Sequence, residues 1–108
     1  MSKERMTINQ AQLKVTDSTT GLYGVLLANK SLEIGFYQPT GTDPQQPHEQ
    51  DEVYIVQSGS GEFVLDSKGQ PFEPGEALFV PAGTTHKFEN FTEDFAAWVV
   101  FYGPVGGE

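Results

Sequence analysis

Residues 75–90 read GEALFVPAGTTHKFEN, and the order of residue types in this stretch decides the fold. Ala77, Leu78, Phe79 and Val80 form a short apolar run that suits a buried strand. Pro81-Ala82-Gly83 stops it, because proline removes a ladder donor and glycine accepts turn geometry. A new strand then begins near His86. Side chains alternate across a strand, so His86, Phe88 and Asn90 share one face while Lys87 and Glu89 turn to the other. A histidine that opens a strand on the face of a large aromatic ring is aimed at an interior.

Working outward, the other histidine stands in QPHEQDEVYIVQSG, residues 46–59, and the chain contains only these two. If the backbone there is extended, Gln46, His48 and Glu52 have the same parity and project to one face, as does Tyr54. The apolar strand 52–57 ends at Ser58-Gly59-Ser60-Gly61, where glycine permits the positive φ of a tight turn. Further strands read at 22–27, 31–38, 62–66, 70–72, 76–80, 85–90 and 95–102, with Gly, Pro and polar clusters between them. Roughly eight short strands in sequence describe an all-β sandwich or barrel.

Within 31–38, Leu32, Ile34 and Phe36 alternate with Glu33, Gly35 and Tyr37, the period of a half-buried strand. Stretches 53–56 and 96–100 are apolar on both faces and need cover on two sides. Tyr54 and Phe88 are expected to line an interior cavity, with Tyr37, Phe79, Trp98 and Phe101 as candidates from neighbouring strands. Thr7 to Val15 (TINQAQLKV) reads as a candidate edge strand, residues 1–20 are otherwise poorly defined, and the Gly-rich residues 103–108 are expected to fray.

Composition bounds the function. The chain has 108 residues, room for one domain over 1–108, and its 37% hydrophobic fraction suits a folded core. It has no cysteine, so disulfides and thiolate metal sites are excluded and any metal must be held by nitrogen and oxygen. A net charge of −9 with only 6 Lys and Arg opposes binding to a phosphate backbone or an anionic membrane. No apolar run approaches the roughly 20 residues of a membrane helix, and Met1 to Gln10 is polar, which makes a cytoplasmic location the expectation.

Two imidazoles and a carboxylate, from His48, His86 and Glu52, can fill three facial positions of a six-coordinate ion and leave others open. Gln46 could add a weaker amide oxygen. The same ligands accept Mn, Fe, Ni, Cu or Zn, so the expected cofactor is a divalent transition metal of undetermined identity. Neither a Ser/His/Asp triad nor a phosphate-cradling loop is indicated, since both histidines belong to the metal set and the Gly59-Ser60-Gly61 turn leads into a strand.

The two segments resemble the paired motifs of the cupin superfamily. The second motif, G-x(5)-P-x-G-x(2)-H-x(3)-N, is matched at every fixed position by Gly75, Pro81, Gly83, His86 and Asn90. The first, H-x-H-x(3,4)-E-x(6)-G, is matched by His48, Glu52 and Gly59, with Gln46 where the family usually has a histidine. The resemblance implies a double-stranded β-helix, or jelly-roll, barrel, with both motifs inside residues 40–103.

Cupins include dioxygenases, isomerases, epimerases, decarboxylases, hydrolases, seed storage proteins and ligand-sensing modules. The resemblance therefore implies a small metalloenzyme, dioxygenase- or isomerase-like, acting on a small organic molecule in the barrel cavity, with Tyr54 as the one candidate catalytic side chain. The alternative is a binding module without turnover that captures a small ligand or carbohydrate. Small single-barrel cupins are commonly dimers, and the two-sided apolar strands lead independently to a C2 homodimer, with the N-terminal segment lying across the partner.

Overall fold

The computed structural model describes residues 5–108. Its elements are α1 (Ile8–Thr16), β1 (Tyr23–Asn29), β2 (Leu32–Tyr37), β3 (Asp51–Ser58), β4 (Gly61–Leu65), β5 (Lys68–Phe72), β6 (Ala77–Val80), β7 (His86–Glu89) and β8 (Ala96–Tyr102). The eight strands are those expected from the alternation and the turn residues. They pair antiparallel into a five-stranded sheet in the order β1-β2-β8-β3-β6 and a three-stranded sheet in the order β5-β4-β7. The chain changes sheet between β3 and β4, between β5 and β6, between β6 and β7, and between β7 and β8. That winding is the double-stranded β-helix.

A ring-rich core fills the space between the sheets. Tyr54 and Val56 of β3 and Ala97 and Val99 of β8 meet Phe63 and Phe88 from the smaller sheet, with Phe72 and Phe95 closing one end. Phe88 sits at the centre, its ring centroid 4.9 Å from Tyr54 and 4.6 Å from Phe95, mostly in tilted or edge-on contacts that suit aromatic quadrupoles. Glu52, Tyr54 and Val56 share the inward face of β3, so its first inward position is a carboxyl group.

Turn chemistry sets where the strands end. Gly59 has φ of 83°, and a Cβ there would collide with the Phe95 backbone, so no other residue fits the β3–β4 turn without a shift. Asn90 holds a left-handed φ of 51°, and its Nδ2 donates to Glu62 Oε1 at 2.9 Å.

Two expectations are corrected. Residues expected to form an edge strand at the N-terminus form α1 instead, and it lies on its own chain's sheet. Thr7 caps the helix: its hydroxyl accepts from the Gln10 N–H while Gln10 Oε1 accepts from the Thr7 N–H, a reciprocal capping box. Ala11 and Val15 then bury against Phe36, Ala96, Leu26 and Trp98 on the outer face of the large sheet. The last residues, expected to fray, are tied down by the Gly106 N–H donating to the Glu49 carbonyl at 2.7 Å and the Glu108 N–H donating to Asp51 Oδ2 at 3.0 Å.

The helix can approach because β1 offers Gly24 beneath it, where a Cβ would run into the backbone of Lys14 and Val15. Gly24→Ala should lift α1 from the sheet and cost about 1–3 kcal/mol, the usual range for overpacking. The sole tryptophan, Trp98, lies under that helix, so its emission should shift to the red while the β-sheet circular dichroism stays. An unchanged Trp98 spectrum would mean that the contact is not tight.

Candidate metal centre

Each side chain of the sequence-derived set is positioned by a different device. Glu52 lies on β3 between Val80 of β6 and Phe101 of β8, and its side chain is 1% exposed. His86 opens β7 opposite Leu65 and is 2% exposed. His48 sits in the irregular segment before β3, held by the Gly83 N–H, which donates to its carbonyl at 2.6 Å. The Phe101 ring meets the His48 ring edge-on at 4.7 Å.

The three converge. Ligand-capable atoms of His48, Glu52 and His86 all lie within 4.8 Å of one another, close enough to share one ion. Glu52 Oε1 is 3.2 Å from His86 Nε2 and 3.9 Å from His48 Nε2. His86 Nδ1 lies 2.9 Å from the Thr84 carbonyl, which can only accept, so Nδ1 carries the proton and the Nε2 lone pair of a neutral ring faces Glu52. Despite their approach, Glu52 Oε1 and His86 Nε2 lack hydrogen-bond geometry, and both are buried without a partner among the described residues. Two buried acceptors facing each other require a positive charge between them, either a proton or a metal ion. The donor set therefore fits a divalent transition ion.

Electrostatics separate the two imidazoles. Burial pushes the His48 pKa below the ordinary histidine value and the neighbouring His86 adds to this, against the opposing pull of Glu52, Glu33 and Asp43. Burial acts in the same direction on His86, but the Glu52 carboxylate, the Thr84 carbonyl and Asp43 together outweigh it and hold that pKa above the ordinary value.

The structure places the other expected residues differently. Gln46 is exposed, and its neighbour Gln45 lines the cavity instead. The reason is local: residues 43–48 are irregular, with Pro44 and Pro47 in the run, so the period of two does not carry from Gln46 to His48. Gln45 is engaged already, donating to Asp43 Oδ2 at 2.7 Å and accepting from the Tyr54 hydroxyl. Tyr54 is fully buried among Phe63, Phe88 and His86 beneath the cavity, and its pKa is raised well above that of a free phenol by burial first and by Glu52 next. Phe88 is likewise core. Phe79 points outward and Trp98 packs toward α1, whereas Tyr37 and Phe101 do line the cavity.

That cavity has a volume of about 320 Å³ and opens beside His48 and Glu52, with Val99, Phe101, Tyr23, Tyr37, Gln45 and Glu33 completing its wall. Asp43 braces one side: its carboxylate accepts from the Tyr37 hydroxyl, from the Gln45 backbone at 3.1 Å and from the Phe88 N–H at 2.8 Å. Sequence reasoning did not single out Glu33, Asp43 or Tyr23. Glu33 was legible only as the polar partner in an alternating strand, and on β2 the apolar partners Leu32, Ile34 and Phe36 face outward, toward α1 and solvent, while Glu33 and Tyr37 face in.

The family model described as Cupin domain matches residues 34–102, well over half of the chain. This chain belongs to the cupin family. It is 37% identical over 86 residues to an uncharacterised protein of Streptomyces coelicolor, an alignment covering 78% of this chain and 82% of that protein. Among solved structures it resembles a cupin 2 conserved barrel domain protein from Salinispora arenicola, with a TM-score of 0.63 and 24% identity over 75% of this chain and 74% of the other. It also resembles a putative mannose-6-phosphate isomerase from Ralstonia eutropha, with a TM-score of 0.61 and 26% identity over 77% and 84% of the two chains. The match of this cupin to the family model begins within β2 and ends at the last residue of β8, so α1 and β1 lie outside it.

The opposed pKa directions generate a pH prediction for the centre. Below its raised pKa, His86 carries a proton that an incoming divalent ion must displace, whereas His48 is already neutral near pH 7. Apparent affinity for Zn2+ or Mn2+ should therefore rise with pH, by up to about tenfold per unit, and level off above the His86 pKa. Calorimetry in buffers of different ionisation enthalpy should register about one proton released per ion in the rising region. A flat affinity between pH 6 and 8 would contradict the assignment of the proton to His86.

Proposed function

We propose that this cupin is a small metalloprotein that binds a divalent transition ion through His48, Glu52 and His86 and acts on a small organic molecule in the cavity beside it. The observation that carries the reading is the buried pair Glu52 Oε1 and His86 Nε2, without hydrogen-bond partners among the described residues, with His48 on the same side. An ion held there would supply Lewis-acid polarisation of a ligand oxygen or an open position for oxygen itself.

The chain's own residues do the rest. Val99 and Phe101 give the cavity an apolar wall, and its aromatic lining with a few polar groups is the composition that small organic ligands prefer. Tyr23 and Tyr37 keep their phenolic protons, because burial and then the hydrogen bonds to Glu33 and Asp43 raise both pKa values. Their hydroxyls act as fixed donors that hold those two carboxyl groups in place. The solved relative from Ralstonia eutropha described as a putative isomerase is consistent with small-molecule chemistry in this fold. A chain without cysteine needs no oxidising compartment, which supports a cytoplasmic setting.

Elemental analysis of the purified protein, followed by titration with Mn2+, Fe2+ and Zn2+, tests the reading. The expected result is one ion per chain, lost on His86→Ala and on Glu52→Ala, while Gln46→Ala changes affinity by no more than about twofold because its side chain lies outside the cavity. Binding that survives His86→Ala would place the ion elsewhere.

We further propose that the protein forms a C2 homodimer through the outer face of the large sheet. Ile55 is 38% exposed and Phe79 49% exposed there, next to the half-buried Val53, Val100 and Ile34 that α1 leaves uncovered. A stable interface should bury at least about 1,000 Å² in total. Light scattering should give twice the chain mass at micromolar concentration, and Phe79→Glu should yield monomers. A monomeric parent would rule the pairing out.

A further inference from the structure

We infer that the cavity admits a small organic ammonium ion, with Glu33 as its acceptor and the rings of Tyr23, Tyr37 and Phe101 around it. The inference rests on the proposed small-molecule function and deepens it by naming the chemical class of the ligand.

Glu33 and the metal-binding set stand at two ends of one cavity. On the inner face of the large sheet, Glu33 pairs with Phe101, and Phe101 pairs in turn with Glu52. Two strand spacings separate the two acids, about 10 Å between backbones. A molecule of a few heavy atoms spans that gap within about 320 Å³. Glu52 Oε1, almost completely buried and without a hydrogen-bond partner among the described residues, marks the far end as able to accept a contact from an ion or ligand.

The acid is built into position. Gly35 leaves room for the Tyr23 ring, which a Cβ at that residue would strike, and the ring leans across so that its hydroxyl donates to Glu33 Oε2 at 2.7 Å. That contact fixes one carboxyl oxygen and leaves Oε1 without a partner among the described residues.

The balance of donors and acceptors then selects the ligand. The Tyr23 hydroxyl proton goes to Glu33, the Tyr37 hydroxyl proton goes to Asp43, and one of the two Gln45 amide N–H groups donates to Asp43. No Lys or Arg lines the cavity among the described residues. What remains on offer is carboxyl oxygen and aromatic surface, with the Tyr23 and Tyr37 rings 6.4 Å apart at 66°, beside the second Gln45 N–H and the His48 ring. A carboxylate or phosphate beside Glu33 would meet a carboxyl group and no Lys or Arg among the described residues. An ammonium group brings its own donors, pairs with Glu33 and gains from the ring faces. The net charge of −9 also favours the approach of cations.

Paired probes test this on the full-length protein loaded with Zn2+. The first is 4-aminobutan-1-ol and the second is pentan-1-ol, in which a methyl group replaces the ammonium. Binding is followed by chemical-shift changes at the amides of Glu33, Tyr37 and Phe101 and by calorimetry. The amino alcohol should bind at least about tenfold more tightly, and Glu33→Gln should remove that preference while Zn2+ is still retained. Tyr23→Phe should keep the preference but weaken it, and because it leaves every acid in place it serves if Glu33→Gln folds poorly. Equal affinity for the two probes, no measurable binding of the amino alcohol, or an unchanged preference in Glu33→Gln would overturn the inference. If Zn2+ fails to bind but the ammonium preference persists, the metal assignment falls and the ligand class stands.

Discussion

Two adjacent peptide N–H groups hold the two halves of the centre together. The turn after β6 turns its Gly83 N–H onto the His48 carbonyl at 2.6 Å and its Ala82 N–H onto Asp51 Oδ1 at 2.9 Å. Asp51 is buried, and its other oxygen accepts from Glu108, so one carboxylate ties the turn, the start of β3 and the C-terminal tail. Together with the Gly106 N–H on the Glu49 carbonyl and the Phe101 ring against His48, those bonds fix a segment that belongs to no strand. Pro81 matters for the same reason: it ends β6 and frees the following N–H groups to bond across the molecule.

The centre itself is a point of stored electrostatic conflict. Placing Glu52 and His86 side by side in an almost dry interior sets two acceptors against each other whenever the ring is neutral, a cost that a proton or a metal ion between them relieves. The aromatic core supplies the offsetting stability. The rings of Phe63, Phe72, Phe88 and Phe95 pack with Tyr54 in one apolar cluster that contains no charged side chain. Such separation lets the polar end of the barrel specialise while the apolar end holds the fold.

Strand existence was legible in the sequence because each strand is short, bounded by Gly or Pro, and patterned at a period of two. Residues 75–90 also disclosed how His86 is aimed, and the turn at Gly59 followed from its need for positive φ. The helix at Ile8–Thr16 was missed although Thr7 and Gln10 spell a capping box. With only Ala11 and Val15 buried, its apolar pattern is too sparse to announce a helix, and its packing depends on Gly24, a residue of another element. Gln46 was misplaced for a different reason, since parity arguments fail once the backbone leaves the extended conformation.

The sequence by itself determined the all-β class, the turns that divide the strands, and the three side chains able to share an ion, because backbone sterics and side-chain alternation act over a few residues. Only the tertiary structure decided which face of β2 lines the cavity, that Gln45 and not Gln46 turns inward, and that the Tyr23 and Tyr37 hydroxyls and one Gln45 N–H are committed to carboxyl groups. Those outcomes depend on partners far apart in the chain, such as Phe88 with Asp43 and Gly83 with His48, and no local pattern encodes which distant group a side chain will meet.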